Sequence, residues 1–410
     1  VPAGGDDPAG GDGLVLDDEP SRALAREVAR RSIVLLQNDG TLPLPAGARI
    51  AVVGPRADEA SAMLGCYSFP QHVGAQHPET AMGIEVPTVL AALRGDPAGY
   101  EISYAPGCPV TGGDDAGLAE AAAAARGADV CVAVLGDLAG LFGRGTSGEG
   151  CDAPSLGLPG RQPELLEVLL GTGTPVVLVL LVGRPYELTD YAGRLAAALC
   201  GFFPGEEGGA ALADVLSGRA NPSGRLPVSF PAAGATQPST YLAAPLGQRS
   251  EVSTIDPTPV YPFGHGLSYT PARWLDVSLR SGPEWPVDGR CQLSVTLHNE
   301  ADRAASEVVQ VYLHDPVAGV ARPVQYLVAA ARVDLAPGET RVAHIGLHAD
   351  LTSYTGRAGR RQVDPGEVEL RVGASSTDIR GTLRAVLTGA RREAGPGREL
   401  HPDIRLLPAD

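Results

Sequence analysis

Lysine is missing from this 410-residue chain, whose 32 basic side chains are all arginines. Set against 48 acidic residues they leave a net charge of −16. That balance argues against nucleic-acid binding, which needs a basic stripe. The six cysteines form no CxxC pair and show no metal-ligand spacing. Cys131 and Cys200 sit at apolar, strand-like positions and read as free buried thiols. Low cysteine density weakly favours a cytoplasmic over a secreted setting. No apolar run is long enough to span a bilayer; 175–183 is far too short and reads as a buried parallel strand. No Gly-x-Ser-x-Gly elbow and no Gly-rich phosphate loop is present. A secretory leader is not visible, but Val1-Pro2-Ala3 is not an initiator sequence, so residues are expected upstream.

What is present is a chain with a 44% apolar share, enough for about two or three domains with cores. Residues 1–40 read as a Gly/Pro/Asp-rich linker and a leading helix with Ser21 as N-cap. Across 41–232, apolar runs alternate with helical patterns. Strands are expected at 49–53, 101–105, 130–135, 176–181 and 199–202, and helices at 88–93, 115–126, 161–170 and 210–216. Such alternation predicts an α/β fold with a mainly parallel sheet covered on both faces. Residues 233–270 read as a connecting segment. From 271 to 390 the period changes to short alternating strands, among them 291–297, 307–313 and 368–372, as in a fibronectin type III-like β-sandwich. Residues 391–410 read as a polar tail.

The stretch that carries chemistry is Gly143-Arg144-Gly145-Thr146-Ser147-Gly148-Glu149-Gly150-Cys151-Asp152, leaving the strand that ends at Gly136. Open α/β sheets bind ligands at that edge, and flanking glycines let Glu149 approach a bulky substrate. Asp137 either positions this loop or touches sugar hydroxyls. Arg144 binds substrate or pairs with Glu149 or Asp152. Phe142 offers a stacking face or packs on the core. Tyr67 and His72, in an aromatic-rich loop, contact the leaving-group side or pack on another domain. Glu206 and Glu207 read as a favourably charged helix start, and His265 as a turn residue.

Three ordered motifs resemble glycoside hydrolase family 3, the β-glucosidases and β-xylosidases. They are 32–44 (SIVLLQNDGTLPL), Pro204-Gly205-Glu206-Glu207-Gly208-Gly209 continuing to Pro227, and Tyr261-Pro262-Phe263-Gly264-His265-Gly266-Leu267-Ser268-Tyr269. The resemblance implies a retaining, exo-acting β-glycosidase that needs no cofactor or metal. It implies Glu149 as general acid/base and an aspartate nucleophile on an N-terminal (β/α)8 barrel. The family pattern is like Glu-Gly-x-Asp-Arg, whereas Ala153 stands at its last position here. A Ser-Asp-Trp-like nucleophile triplet is absent, since neither Trp274 nor Trp285 follows Ser-Asp. The chain is therefore expected to be the C-terminal part of such an enzyme. Its expected partners are a β-glycoside or oligosaccharide substrate and the barrel, not nucleic acid or membrane, with homo-oligomerisation left open. The rival expectation is a non-catalytic carbohydrate-binding or assembly module.

Overall fold

The computed structural model describes residues 17–74, 76–77, 79–113, 116–234 and 240–409. The first unit runs in chain order through α1 (Glu19–Ser32), β1 (Val34–Asn38), β2 (Arg49–Val53), α2 (Phe69–Gly74), α3 (Val89–Arg94), β3 (Glu101–Ala105), α4 (Leu118–Arg126) and β4 (Val130–Gly136). It continues through β5 (Ala139–Gly140), β6 (Ser147–Gly148), α5 (Gln162–Leu170), β7 (Val176–Leu181), α6 (Thr189–Ala192), β8 (Ala197–Cys200) and α7 (Gly208–Leu216). Six strands form one sheet in the order β1-β8-β7-β4-β2-β3, parallel except for the antiparallel β1–β8 pair.

β4, β7 and β8 are apolar and buried along their whole length because both faces are covered, whereas the edge strands β1 and β3 carry polar residues such as Gln37, Asn38, Glu101 and Ser103. Ile50, Val52, Val132 and Val134 point into a core shared with Leu90, Leu93, Leu212 and Leu216 of α3 and α7. Their neighbours Ala51, Val53, Cys131, Ala133 and Leu135 face Ala121, Ala125, Leu165 and Leu169 of α4 and α5. The period of two along each strand sends successive side chains to opposite layers.

Three expectations need correction. The N-cap of α1 is Asp18, whose carboxylate accepts from Ser21 N at 2.8 Å, with Pro20 in the first turn. Proline suits that position, since its missing N–H would be unsatisfied there anyway. Residues 34–38, grouped by sequence with the linker and leading helix of 1–40, belong to the α/β unit as its edge strand β1. α1 itself is clamped to α7, with Arg26 and Arg30 both on the buried Asp214 and Arg22 on Glu207 at 2.7 Å. The Glu207 side chain thus works through that ion pair, besides standing at the N-cap of α7.

The second unit comprises β9 (Arg273–Leu279), β10 (Glu284–Pro286), β11 (Arg290–His298), β12 (Ala305–His314), β13 (Tyr326–Leu335), β14 (Thr340–His348), β15 (Tyr354–Thr355), β16 (Arg361–Val363), β17 (Gly366–Gly373), β18 (Ile379–Thr388), β19 (Arg392–Glu393) and β20 (Asp403–Pro408). Sheets β10-β18-β17-β12-β13 and β20-β14-β11-β9 enclose Trp285, Leu293, Val295, Val309, Val311 and Leu370. The third correction lies here. The segment read as a polar tail supplies β20, which pairs with β14 from Asp403 to Pro408. An edge strand exposed on most of its length reads as polar in sequence.

The connecting segment is stitched to the first unit. Leu226 N donates to His265 O at 2.8 Å, Leu267 bridges Leu35, and the His265 ring meets Leu36 O at 2.7 Å. Between the units, Arg225 pairs with Glu307 at 2.5 Å and Gln310 Nε2 donates to Gly264 O at 2.9 Å, both largely out of solvent. No helix among the described residues is long and apolar enough to cross a membrane.

Candidate functional site

The loop that carries Glu149 leaves the C-terminal end of β4 through Gly136. There φ is +148°, and a Cβ would lie 1.9 Å from Leu181 O. Only glycine fits that conformation and that approach. Both polar groups of Gly136 are held by one side chain, its N–H donating to Gln162 Oε1 at 2.7 Å and its carbonyl accepting from Gln162 Nε2 at 2.9 Å.

Asp137 follows, and its place corrects the expectation that it touches substrate. It has 0% exposure and lies beneath the loop. Oδ2 accepts from Gly183 N at 2.8 Å, and Oδ1 accepts from Thr146 Oγ1 at 2.6 Å and from the Tyr186 hydroxyl. Every partner donates, as a buried carboxylate requires. Thr146 passes the constraint on, since its Oγ1 accepts from Leu138 N at 2.9 Å. Burial raises the Tyr186 hydroxyl far above the ordinary tyrosine value, and the Asp137 charge adds to the rise. Tyr186 therefore stays a proton donor to Asp137.

The loop then folds back on itself. β5 and β6 pair Ala139 with Ser147 and Gly140 with Gly148. A Cβ on Gly148 would lie 2.0 Å from Gly140 O. Arg184 ties the two ends, donating from Nη2 to Thr146 O at 2.8 Å and to Cys151 O at 2.6 Å. Gly143 N donates to Glu149 O at 3.3 Å. The backbone beneath Glu149 is thus fixed, while its side chain stands exposed at the tip.

A second segment approaches from the side. After Met63 the chain runs through Cys66 and Tyr67 into α2. The Tyr67 hydroxyl donates to Glu149 Oε2 at 2.7 Å, and this bond raises the tyrosine's pKa. Tyr67 and Phe142 are 66% and 67% exposed, so Phe142 is not packed on the core. Phe142 also takes φ +55°, a conformation uncommon for a bulky residue. Arg144 is exposed, and among the described residues it pairs with neither Glu149 nor Asp152. His72 is exposed on α2. It shares with Cys66, Gln71, Leu141, Phe142 and Arg144 a hollow of about 60 Å³.

The structure therefore brings Glu149, Tyr67, Phe142, Arg144 and His72 to one surface and sets Asp137 under it. The supports Gln162, Thr146, Arg184 and Tyr186 were not foreseen. The one sequence signal for two of them was Gly183-Arg184-Pro185-Tyr186 directly after an apolar strand, at the same sheet edge as the loop. Among the described residues no cluster of His, Cys, Asp or Glu is arranged to hold a metal ion.

A mainly parallel α/β sheet with a carboxylate-bearing loop at its C-terminal edge, joined to a β-sandwich, is the two-unit architecture that the site sits on. Residues 33–269 match the glycosyl hydrolase family 3 C-terminal domain, and 307–376 match a fibronectin type III-like domain. The chain belongs to glycosyl hydrolase family 3. It is 34% identical over 397 residues to a periplasmic beta-glucosidase of Salmonella typhimurium, covering 88% of this chain and 49% of that protein. It is 34% identical over 362 residues to a beta-xylosidase of Formosa agariphila, covering 87% and 48%. The beta-glucosidase of Listeria innocua, solved in complex with isofagomine, superposes with a TM-score of 0.80 at 30% identity, covering 92% of this chain and 51% of that one. The chain thus spans about half the length of the curated relatives it matches.

Proposed function

We propose that this chain is the C-terminal part of a retaining, exo-acting β-glycosidase of β-xylosidase or β-glucosidase type, and that Glu149 is its general acid/base. The attacking aspartate comes from an N-terminal barrel. The observation that carries the reading is an exposed carboxylate, Glu149, held by Tyr67 on a loop whose backbone is pinned from beneath through Asp137 and Arg184. The hollow beside it, about 60 Å³, is far below the ~300–1,000 Å³ of a ligand pocket. A sugar therefore needs walls from elsewhere. Retaining chemistry places two carboxyl groups about 5 Å apart, one attacking the anomeric carbon and one protonating the leaving oxygen. Glu149 then takes the proton from water in the second step. Tyr67 holds the carboxylate through Oε2 and leaves Oε1 for the leaving group. Phe142 offers a ring face, and Arg144 and His72 offer donors, around the leaving group.

The test is hydrolysis of nitrophenyl xyloside and glucoside by the chain alone and with an N-terminal barrel portion supplied. Activity only in the mixture supports the reading. Sugar binding without hydrolysis in the mixture favours a non-catalytic module. Glu149→Ala in the active mixture should slow substrates with poor leaving groups by about 10²–10⁴-fold and activated ones much less, with azide partly rescuing the latter. Equal losses for both would remove Glu149 from the role.

A further inference from the structure

We propose that a second hollow on this sheet edge, about 560 Å³ in volume, is a binding site for a singly charged carboxylate anchored by Arg56. β2 connects to β3 on one side, and the chain then crosses to β4 on the other. The crevice outside their carboxyl ends is the switch point at which open α/β sheets bind ligands. Pro55, Arg56 and Glu59 after β2, Pro106 and Cys108 after β3, and Leu138 after β4 line the hollow there.

Arg56 is the anomaly in it. The residue is only 3% exposed. Its backbone is fixed, with its N–H donating to Val134 O at 3.3 Å. Among the described residues neither Nε nor Nη2 has a hydrogen-bond partner, and no carboxylate forms an ion pair with the guanidinium. Asp137 is near enough to be felt electrostatically, but its oxygens are occupied by Gly183, Thr146 and Tyr186. A guanidinium out of water with no carboxylate in direct contact is costly, by far more than an ordinary unsatisfied polar group, and the more distant charges of Glu59 and Asp137 offset only part of that cost. Burial pulls its pKa below the ordinary arginine value, with Glu59 and Asp137 acting in the opposite sense. Nη1 is not among the fully buried unpartnered nitrogens, and Arg56 lines the hollow.

A carboxylate in the hollow would supply the contact counter-charge that the guanidinium lacks and accept a charge-assisted hydrogen bond from Nη1. The charge around the site limits the choice further. Glu59 on the wall and Asp137 beneath repel a dianion, so one negative charge fits and two do not. Two sources carry such a group: a free sugar acid, and an aspartate or glutamate side chain of another polypeptide segment. The hollow is separate from the Glu149 surface, so the inference does not depend on the glycosidase reading.

The experiment uses the 410-residue chain without any activity assay. Sodium acetate is titrated at constant ionic strength against sodium chloride, with the thermal midpoint as readout. Acetamide serves as the neutral isostere, and phosphate as the more highly charged ion. A saturable rise with acetate, none with acetamide and a weaker response to phosphate are expected. Arg56→Gln should lower the apparent acetate affinity at least about tenfold. Arg56→Met should abolish the response without lowering the midpoint in the absence of acetate. D-Glucuronate binding at least about tenfold tighter than acetate identifies a sugar acid as the source, and equal affinities identify a side-chain carboxylate; either supports a carboxylate site. Equal responses to acetate and acetamide, tighter binding of phosphate than of acetate, or an unchanged acetate response in Arg56→Gln would overturn it.

Discussion

Replacing Asp137 tests whether the carboxylate beneath the loop holds Glu149 in place. Asp137→Ala strands three donors: Gly183 N–H, the Thr146 hydroxyl and the Tyr186 hydroxyl. Each bond to a charged acceptor is worth ~1.5–3 kcal/mol, a gross loss of about 4–9 kcal/mol. Removing the carboxylate also relieves its own desolvation, which is several kcal/mol for a buried ion. The hydroxyls can rotate toward new partners, whereas the Gly183 N–H cannot. The net loss is therefore about 3 kcal/mol, concentrated in the loop. Asp137→Asn should be milder, about 1 kcal/mol. Its amide can turn so that the oxygen accepts from Gly183 N and the NH₂ donates to the two hydroxyl oxygens. The assay is urea unfolding together with mass-mapped tryptic cleavage after Arg144, an exposed arginine in the middle of the loop. Where cleavage follows the open population, 3 kcal/mol corresponds to an increase of about 150-fold in the Ala variant. A midpoint change worth less than about 1 kcal/mol with unchanged Arg144 cleavage would refute the anchoring role. So would an Asn variant as damaged as the Ala variant.

Two further outcomes follow from the same geometry. Burial raises the pKa of Asp214, but the bonds from Arg26, Arg30 and Arg219 outweigh it and hold the carboxyl below its ordinary value of 3.8. A depressed folded-state value means that this stabilisation is complete above the ordinary pKa and is lost as pH falls below it. Asp214→Asn should therefore flatten the acid limb of the stability profile below about pH 4; an unchanged limb would contradict the assignment. Gly136→Ala places a methyl 1.9 Å from Leu181 O at φ +148°. It should destabilise the α/β unit by at least about 3 kcal/mol, read as a lower urea midpoint, whereas Gly173→Ala, with nothing within 4 Å, tests φ alone and should cost less.

How much was legible depended on whether the signal was local. The strand at 176–181 stands where the apolar run put it, because a strand buried on both faces must be apolar throughout; the strand at 101–105 also stands where expected, but as a sheet edge with Glu101 and Ser103 exposed. Two helix ends were readable to within a residue or two: Thr88, read as the first residue of α3, is its N-cap, and α4 ends at Arg126 as expected. The start of α4 was read at Asp115, which lies outside the described residues; its first helical residue is Leu118. The misses came from partners distant in sequence. Tyr186 lies 49 residues from Asp137, and nothing in either neighbourhood announces the other. β20 is half of a ladder whose other half begins at Thr340, so its own composition says little. The loop glycines were readable as a class, but what each one avoids depends on backbone brought in by other strands.

The distribution of aromatic rings bears on where the proposed barrel would sit. The chain has 19 aromatic residues, the sum of 11 Tyr, 6 Phe and 2 Trp. Among the described residues the exposed ones are Tyr67, Phe69 and Phe142. All three stand on the two segments that meet at Glu149. Burying such a ring is worth ~1.5–3 kcal/mol, so leaving three in water at one place is unfavourable unless something covers them. A covering fold would remove water from Glu149 in the same step, since Tyr67 is bonded to it. The groups that make this edge costly to leave bare are thus the groups that a shared active site would use, and the same contact that hides the rings would assemble the acid beside its nucleophile.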